Sequence, residues 1–304
     1  MKALHKISES ILYYLSNKWP DNIATRNKPD FKKLSKNERN YRYALDVQFK
    51  SKVKTGVQHE FIDKNILEIG CGHGGISLFY AVNGAREVTG IDINSESLAA
   101  ANEFVNKFSK KQFNGKPKVS FVKADATALP FEDKSFDLIL AENVFEHFNE
   151  YEKVIQECYR VLSNNGRLIV PIFSSIHSKY AYHVKTIMKL PWIQWFFSDK
   201  TIINVLKRKA TIDPYIYDIY PGLKDNPKKI VDIRKHKDLN HITHKLFKET
   251  ALKSGFLIEK FEPVSARDIK LLRILIQRIP FLRNSIFADI FSTGAKSILK
   301  KKIN

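Results

Sequence analysis

Between residues 61 and 175, short apolar runs alternate with stretches of helical spacing. The runs are Ile66–Ile69, Glu87–Ile91, Val119–Val122, Phe136–Leu140 and Arg167–Phe173, and the stretches between them are Gly75–Asn83, Ser95–Phe108 and Glu150–Leu162. Strand–helix–strand alternation predicts a parallel sheet covered by helices on both faces. Upstream, Ile7, Ile11, Leu12 and Leu15 repeat at helical spacing before a polar break at Asn17–Pro29. Residues 176–240 interrupt the alternation and are rich in aromatic residues and lysine. A helix over 243–254 then ends at Gly255, the strand Phe256–Phe261 follows, and residues 268–303 read as helical, broken at Pro280. The chain thus divides into an N-terminal helical segment (1–58), an α/β core (59–175), an insertion (176–240), and a closing segment (241–304) that supplies the last helix and strand of the core and basic C-terminal helices.

Charge sharpens this division. The chain of 304 residues carries a formal net charge of +19, distributed as +7 over residues 1–60, −3 over 61–175 and +15 over 176–304. Basic flanks attract phosphate groups of nucleic acids, anionic lipids or phosphorylated small molecules, although a lysine-rich solvated surface accounts for the charge equally simply. Cys71 and Cys158 stand far apart, which excludes a disulfide framework and a zinc-finger pattern. The first residues lack an uninterrupted apolar run with a small-residue cleavage site, and no stretch approaches the length of a spanning helix. The expectation is an intracellular, cytoplasmic protein.

The chemistry concentrates in "NILEIGCGHGGISL", Asn65 to Leu78. Gly70, Gly72 and Gly75 spell the dinucleotide pattern G-x-G-x-x-G, while Gly70, Gly72 and Gly74 spell G-x-G-x-G. A strand, a bare glycine turn and a helix N-terminus present backbone N–H groups to an anion or a nucleotide in either case. Asp92, about twenty residues on, suits the ribose hydroxyls of either kind of nucleotide. Two features separate them. Glu68 lies where a dinucleotide strand is normally apolar, and an acid there fits a ligand with a charged amino group. The stretch "KADATALPFEDKSFDLIL", Lys123 to Leu140, places Asp125 and Ala126 at the tip of the third strand.

Taken in order, "ILEIGCGHGG", "GIDIN", "ADATALPFEDKSFDLILAENVFEH" and "VLSNNGRLIV" resemble the class I S-adenosylmethionine-dependent methyltransferases, in the small-molecule, ubiquinone-type (type 11) branch. The likeness covers residues 60–175 and the "HITHKLFKETALKSGFLIEKFEPV" stretch, about half the chain. It implies a doubly wound, Rossmann-like, seven-stranded α/β sheet with helical N- and C-terminal additions, and S-adenosylmethionine as cofactor. By the same resemblance Glu68, Gly70, Cys71, Gly72 and Gly74 hold the methionine portion and Asp92 the ribose. Ile93 packs on the adenine, Asp125 and the Ala126 backbone meet its edge, and Glu142 lines the methyl end. Each acid has a structural reading beside this one: Glu68 as a solvated strand end, Asp92 as a helix cap (for which Asn94 and Ser95 are better placed), and Asp125 as a turn residue.

At the methyl end His147, in "AENVFEHF", falls just past the fourth strand and suits a general base for a hydroxyl acceptor; packing under the loop is its structural alternative. The ubiquinone-type relatives carry Glu-x-x-Glu-His here and can use a divalent metal. This chain reads Asn143-x-x-Glu146-His147, so the first acid is missing and no metal is expected. His241 and His244 are further candidates over the pocket, with His244 alternatively on a first-turn surface; His177, His183 and His236 complete the later histidines.

The aromatic segment "MKLPWIQWFF" (188–197) and the basic amphipathic stretch "DIKLLRILIQRIPFLRN" (268–284) suit either a lid and core cover or a peripheral contact with an anionic membrane. "AENV" replaces the Asn/Asp-Pro-Pro-aromatic turn of base-amine methyltransferases, which disfavours nucleic acid. The expected function is methyl transfer to a small-molecule, glycan or lipid-linked acceptor, with oxygen favoured and carbon and nitrogen open. An RNA or protein methyltransferase, or a non-catalytic binding module, are the competing readings.

Overall fold

The computed structural model describes residues 2–18, 33–50, 59–112, 117–183, 187–188, 190–214, 216–217, 223, 239–265 and 286–302. Seven strands form one sheet in the order β3-β2-β1-β4-β5-β7-β6. They are β1 (Asn65–Ile69), β2 (Glu87–Asp92), β3 (Val119–Lys123), β4 (Phe136–Ala141), β5 (Leu162–Phe173), β6 (Phe256–Ser265) and β7 (Ser292–Lys301). β1 pairs in parallel with β2 and β4, β2 with β3, and β4 with β5. β7 runs antiparallel to both β5 and β6, so one strand of seven is reversed.

The period of two decides how the sheet is covered. On β1, Leu67 and Ile69 face a core shared with Val154, Ile155 and Cys158 of α5 (Tyr151–Val161) and Phe247 of α8 (His244–Lys253). Ile66 points the other way, with Val88, Leu138 and Leu140, onto Phe79 and Tyr80 of α3 (Gly75–Val82). Both faces are therefore apolar, as a mostly parallel sheet requires. α4 (Ser95–Gln112) begins at Asn94, whose side chain accepts from the N–H groups of Glu96 and Ser97.

The N-terminal segment has two parts. α1 (Lys2–Lys18) packs on α7 (Asp199–Ile212): Glu9 accepts from Asn204 at 2.6 Å and the Arg208 guanidinium covers the Tyr13 ring. With Tyr182, Met188, Ile193 and the apolar face of α7, Leu12 makes a second core outside the sheet. α2 (Lys36–Arg42) continues into a π-helical stretch, Tyr43–Phe49, that lies against the start of α3. Two short helices complete the set, α6 (Ile193–Phe196) and α9 (Ile286–Ile290).

β1 to β5 are parallel, as the alternation over 61–175 predicts, and the reversal of β7 makes the whole sheet mixed. One expectation is corrected. Residues 292–301, read as part of a C-terminal helix, form that strand. Ladder partners on both sides decide otherwise, since strand preference is set by packing and pairing more than by intrinsic propensity. Lys301 itself is buried and donates to the Leu162 carbonyl at 2.7 Å. The basic amphipathic stretch 268–284 and His236 lie outside the described residues.

Candidate functional site

The carboxyl ends of β1 to β4 converge where a doubly wound sheet presents its crevice. β1 leads into the turn Gly70–Gly74, with φ of 69° at Gly70, 53° at Gly72 and 74° at Gly74. At Gly74 the left-handed backbone excludes most side chains, and a Cβ would lie 2.6 Å from the Phe121 ring. At Gly75, the first residue of α3, a Cβ would lie 2.3 Å from the Ala44 carbonyl oxygen. The turn is thus pressed from outside by the N-terminal stretch and β3. Gly72 is the open position, with nothing closer to a Cβ there than Gln48 Nε2 at 3.5 Å.

Asp92, at the tip of β2, ties this turn down. Its Oδ2 accepts from the Gly72 N–H at 3.0 Å, and its Oδ1 from the Asn94 N–H at 2.8 Å. A carboxylate offers about four lone-pair sites, so each oxygen keeps capacity for a hydroxyl donor. Glu68 is buried and accepts from the Ser77 hydroxyl on α3; it is not a solvated strand end. Cys71 is fully buried, and burial, together with the Glu68 and Asp92 carboxylates, pushes its thiol far above the usual range. It is inert packing, with its N–H bonded to the Ile91 carbonyl.

Ile93 follows Asp92 and is 68% exposed, an apolar side chain standing open at the cleft. Asp125 makes a turn of its own. Its Oδ1 accepts from the Thr127 N–H at 2.9 Å and the Thr127 hydroxyl at 2.8 Å, which together hold its carboxyl below the usual range. Ala126 beside it is buried. Glu142, just past β4, is half-buried, and with Glu68 and burial it raises the Tyr80 phenol. A bare glycine turn, carboxylates on successive strand tips and an exposed isoleucine fit a nucleoside carrying a charged amino group.

The segment just past β4 is built differently. Asn143 adopts φ 55° and donates its N–H to the Ile172 carbonyl, which turns the chain into the short helical turn Phe145–His147. Asn240 pins this turn: its side chain donates to the Phe145 and Phe148 carbonyls, each at 2.7 Å, and its N–H to the Glu146 carbonyl. His147 is half-buried, its ring edge-on to His183 at 5.3 Å. Glu146 is 2% exposed, and burial pushes its carboxyl up to about 7; the Glu146 and Ser174 backbone N–H groups pull the other way without completing a hydrogen bond. His183 Nε2 stands 3.6 Å from Glu146 Oε1. Glu146, His147 and His183 each place a ligand-capable atom within 4.8 Å of the others.

Other histidines fall elsewhere. His244 is neither first-turn surface nor open to the cleft. It is buried, with Nδ1 2.6 Å from Asp289 and its ring edge-on to Phe173 and Phe261, and pins α8 to α9. His241 is exposed, and His177 tilts against Trp195. The aromatic segment is divided. Trp192 donates to the Ile290 carbonyl at 2.6 Å, whereas Trp195 and Phe196 are exposed.

Sequence reasoning missed four participants. Gln48 accepts from the Gly75 N–H at 3.1 Å and Tyr43 stacks edge-on with His73, so the π-helical stretch borders the glycine turn. Glu146 and His183 are the others. A π-helical register is frequent at functional sites, but no periodicity announces it.

Residues 67–170 match the family model described as Methyltransferase domain. Demethylmenaquinone methyltransferase of Thermus thermophilus is 38% identical over 108 residues, which are 35% of this chain and 46% of that protein. Phthiotriol/phenolphthiotriol dimycocerosates methyltransferase 1 of Mycobacterium ulcerans is 32% identical over 117 residues, 38% of this chain and 40% of that protein. The chain thus spans less than half the length of these curated relatives. An S-adenosylmethionine dependent methyltransferase structure from Mesorhizobium loti shares the fold, with a TM-score of 0.50 at 17% identity over 83% of this chain and 96% of that one. Residues 67–170 thus carry a methyltransferase domain, and the sheet order and glycine turn described above are those of the Rossmann-like class I methyltransferase fold.

Proposed function

We propose that the chain transfers a methyl group to the hydroxyl oxygen of a small-molecule or lipid-linked acceptor. S-adenosylmethionine, when bound, supplies an activated methyl on a sulfonium centre. The observation that carries the reading is the convergence of Glu68, Asp92 and the open Gly72 at one sheet edge, with His147 just past β4 and His183, from beyond β5, against it. Gly70, Gly72 and Gly74 allow the backbone to approach the ligand, and Glu68 receives its amino group. Asp92 accepts from the ribose, Ile93 covers the base, and Asp125 and the Ala126 N–H meet its edge. Glu142 borders the methyl end. His147 takes the proton of the attacking hydroxyl, which keeps its O–H electron pair for the new bond. The protein's remaining task is alignment.

The acceptor class draws on the relatives' names, which include demethylmenaquinone and phthiotriol dimycocerosates. It is also supported by the exposed stripe Ile7, Ile11 and Tyr14 on α1, opposite the buried Leu12 and Ser16, and by exposed Trp195 and Phe196. Together with the basic flanks, these suit peripheral contact with an anionic membrane. No helix among the described residues is long and apolar enough to cross one.

The test is transfer of radiolabelled methyl from S-adenosylmethionine into small-molecule and lipid extracts. Label in an ether linkage, lost in His147→Ala while calorimetric cofactor binding persists, is the expected result. Label in protein or RNA only would overturn the acceptor class. Vesicle flotation at low salt checks the membrane contact, and protein that stays at the bottom refutes it.

A further inference from the structure

We propose that Glu146 and His183 form a proton-holding pair that positions His147 and relieves it of the proton taken from the acceptor. This rests on the methyl-transfer reading above. Three observations carry it. First, Glu146 is nearly inaccessible, yet neither carboxylate oxygen has a hydrogen-bond partner. A buried carboxylate left so is costly and demands neutralisation. Second, the group that reaches it is His183, 3.6 Å away, which is brought in from beyond β5. Its N–H bonds the Tyr180 carbonyl and its φ is 54°, a sparsely populated backbone for a residue with a side chain, held by its surroundings. Third, the His183 ring meets His147 edge-on, so one imidazole links the buried acid to the candidate base.

The titratable groups that meet Glu146 among the described residues are His147 from its own turn and His183 from the segment after β5. Ser174 and Asn240 bring only backbone N–H groups. A proton held on His183, whose Nε2 stands at ion-pair distance (3.6 Å) from Glu146 Oε1, or on Glu146 itself, neutralises the carboxylate. During turnover the acceptor's O–H proton moves to His147. From there it passes to the pair and out through His183, whose side chain is 27% exposed. No bond other than N–H and O–H changes in this relay.

The pair is tested without knowledge of the acceptor. Infrared difference spectra of the whole protein across neutral pH should show a protonated carboxyl band lost with a midpoint near 7. The band should be absent in Glu146→Gln. In His183→Ala its midpoint should move to higher pH, since the carboxylate loses its cation-capable partner. A band lost only in the ordinary carboxylate range, or one unmoved by His183→Ala, overturns the pair. So does tight one-to-one uptake of Zn²⁺ or Mn²⁺ that His183→Ala abolishes. Calorimetry with S-adenosylmethionine reports folding of each variant. With the extract as acceptor source, Glu146→Gln should lower kcat about tenfold at unchanged cofactor affinity and flatten the pH profile near neutrality. Wild type that binds no S-adenosylmethionine would instead refute the methyl-transfer reading itself.

Discussion

The two ends of the cleft are built on opposite principles. At the glycine turn the chain offers backbone, and the acids that border it are already engaged: Asp92 with the Gly72 and Asn94 N–H groups, Glu68 with the Ser77 hydroxyl. At the methyl end it offers side chains, and the central acid, Glu146, is buried without a hydrogen-bond partner. At the first end both acids are held by the fold's own donors before any ligand arrives. The second carries an unresolved charge, as expected where a proton must be taken up and released. On the proposed reading, shape recognition is thus separated from proton handling along one sheet edge.

His147→Ala breaks the second end outright. Turnover should fall about 10²–10⁴-fold, the usual worth of a positioned base, with cofactor affinity preserved; an unchanged rate in the labelled-methyl assay removes His147 from the reaction. Gly74→Ala attacks the first end. Left-handed backbone costs about 1–2 kcal/mol for a residue with a Cβ, and the overlap with Phe121 adds about 1–3 kcal/mol. Denaturant unfolding should show that loss. Cofactor affinity should fall with it.

Glu146→Gln sharpens the contrast through pH. The Glu146 carboxyl is raised to about 7 from an ordinary 4.5, so the folded chain holds this proton more tightly than the unfolded one. The stabilisation is present in full below the ordinary range and is lost as pH rises through about 7. Relative to Glu146→Gln, the wild type should lose up to about 3 kcal/mol across that window, read by chemical unfolding at successive pH values. Parallel curves for the two proteins would contradict the burial argument. The smallest effect belongs to Ile93→Ala, which trims apolar cover from the base. It should cost roughly 1 kcal/mol, about fivefold in cofactor affinity, with no change in fold stability because Ile93 is exposed.

The same division explains what could be read from the chain. The strands β1 to β6 and the glycine turn announce themselves through short apolar runs and fixed spacings, since both faces of the sheet are buried and a helix must follow the turn. β7 does not. Its Ile298 and Leu299 run directly into Lys300 and Lys301, and its strand character comes from β5 and β6 on either side. The site followed that pattern. Glu68, Asp92 and Asp125 sit at strand tips where spacing alone puts them. Gln48 and His183 reach the site from segments whose patterns carry no sign of it, one through a π-helical register and one through a left-handed turn. His244, plausible as a pocket residue by its position before a helix, is claimed by the core through Asp289.

The proposed function turns on which ligand the glycine turn binds. Isothermal calorimetry of the wild type and Asp92→Ala, against S-adenosylmethionine and NAD in turn, tests this directly. Saturable one-to-one binding of S-adenosylmethionine, weakened at least about tenfold by loss of the Asp92 hydrogen bonds, with no heat from NAD, is predicted. Binding of NAD with indifference to S-adenosylmethionine would contradict it.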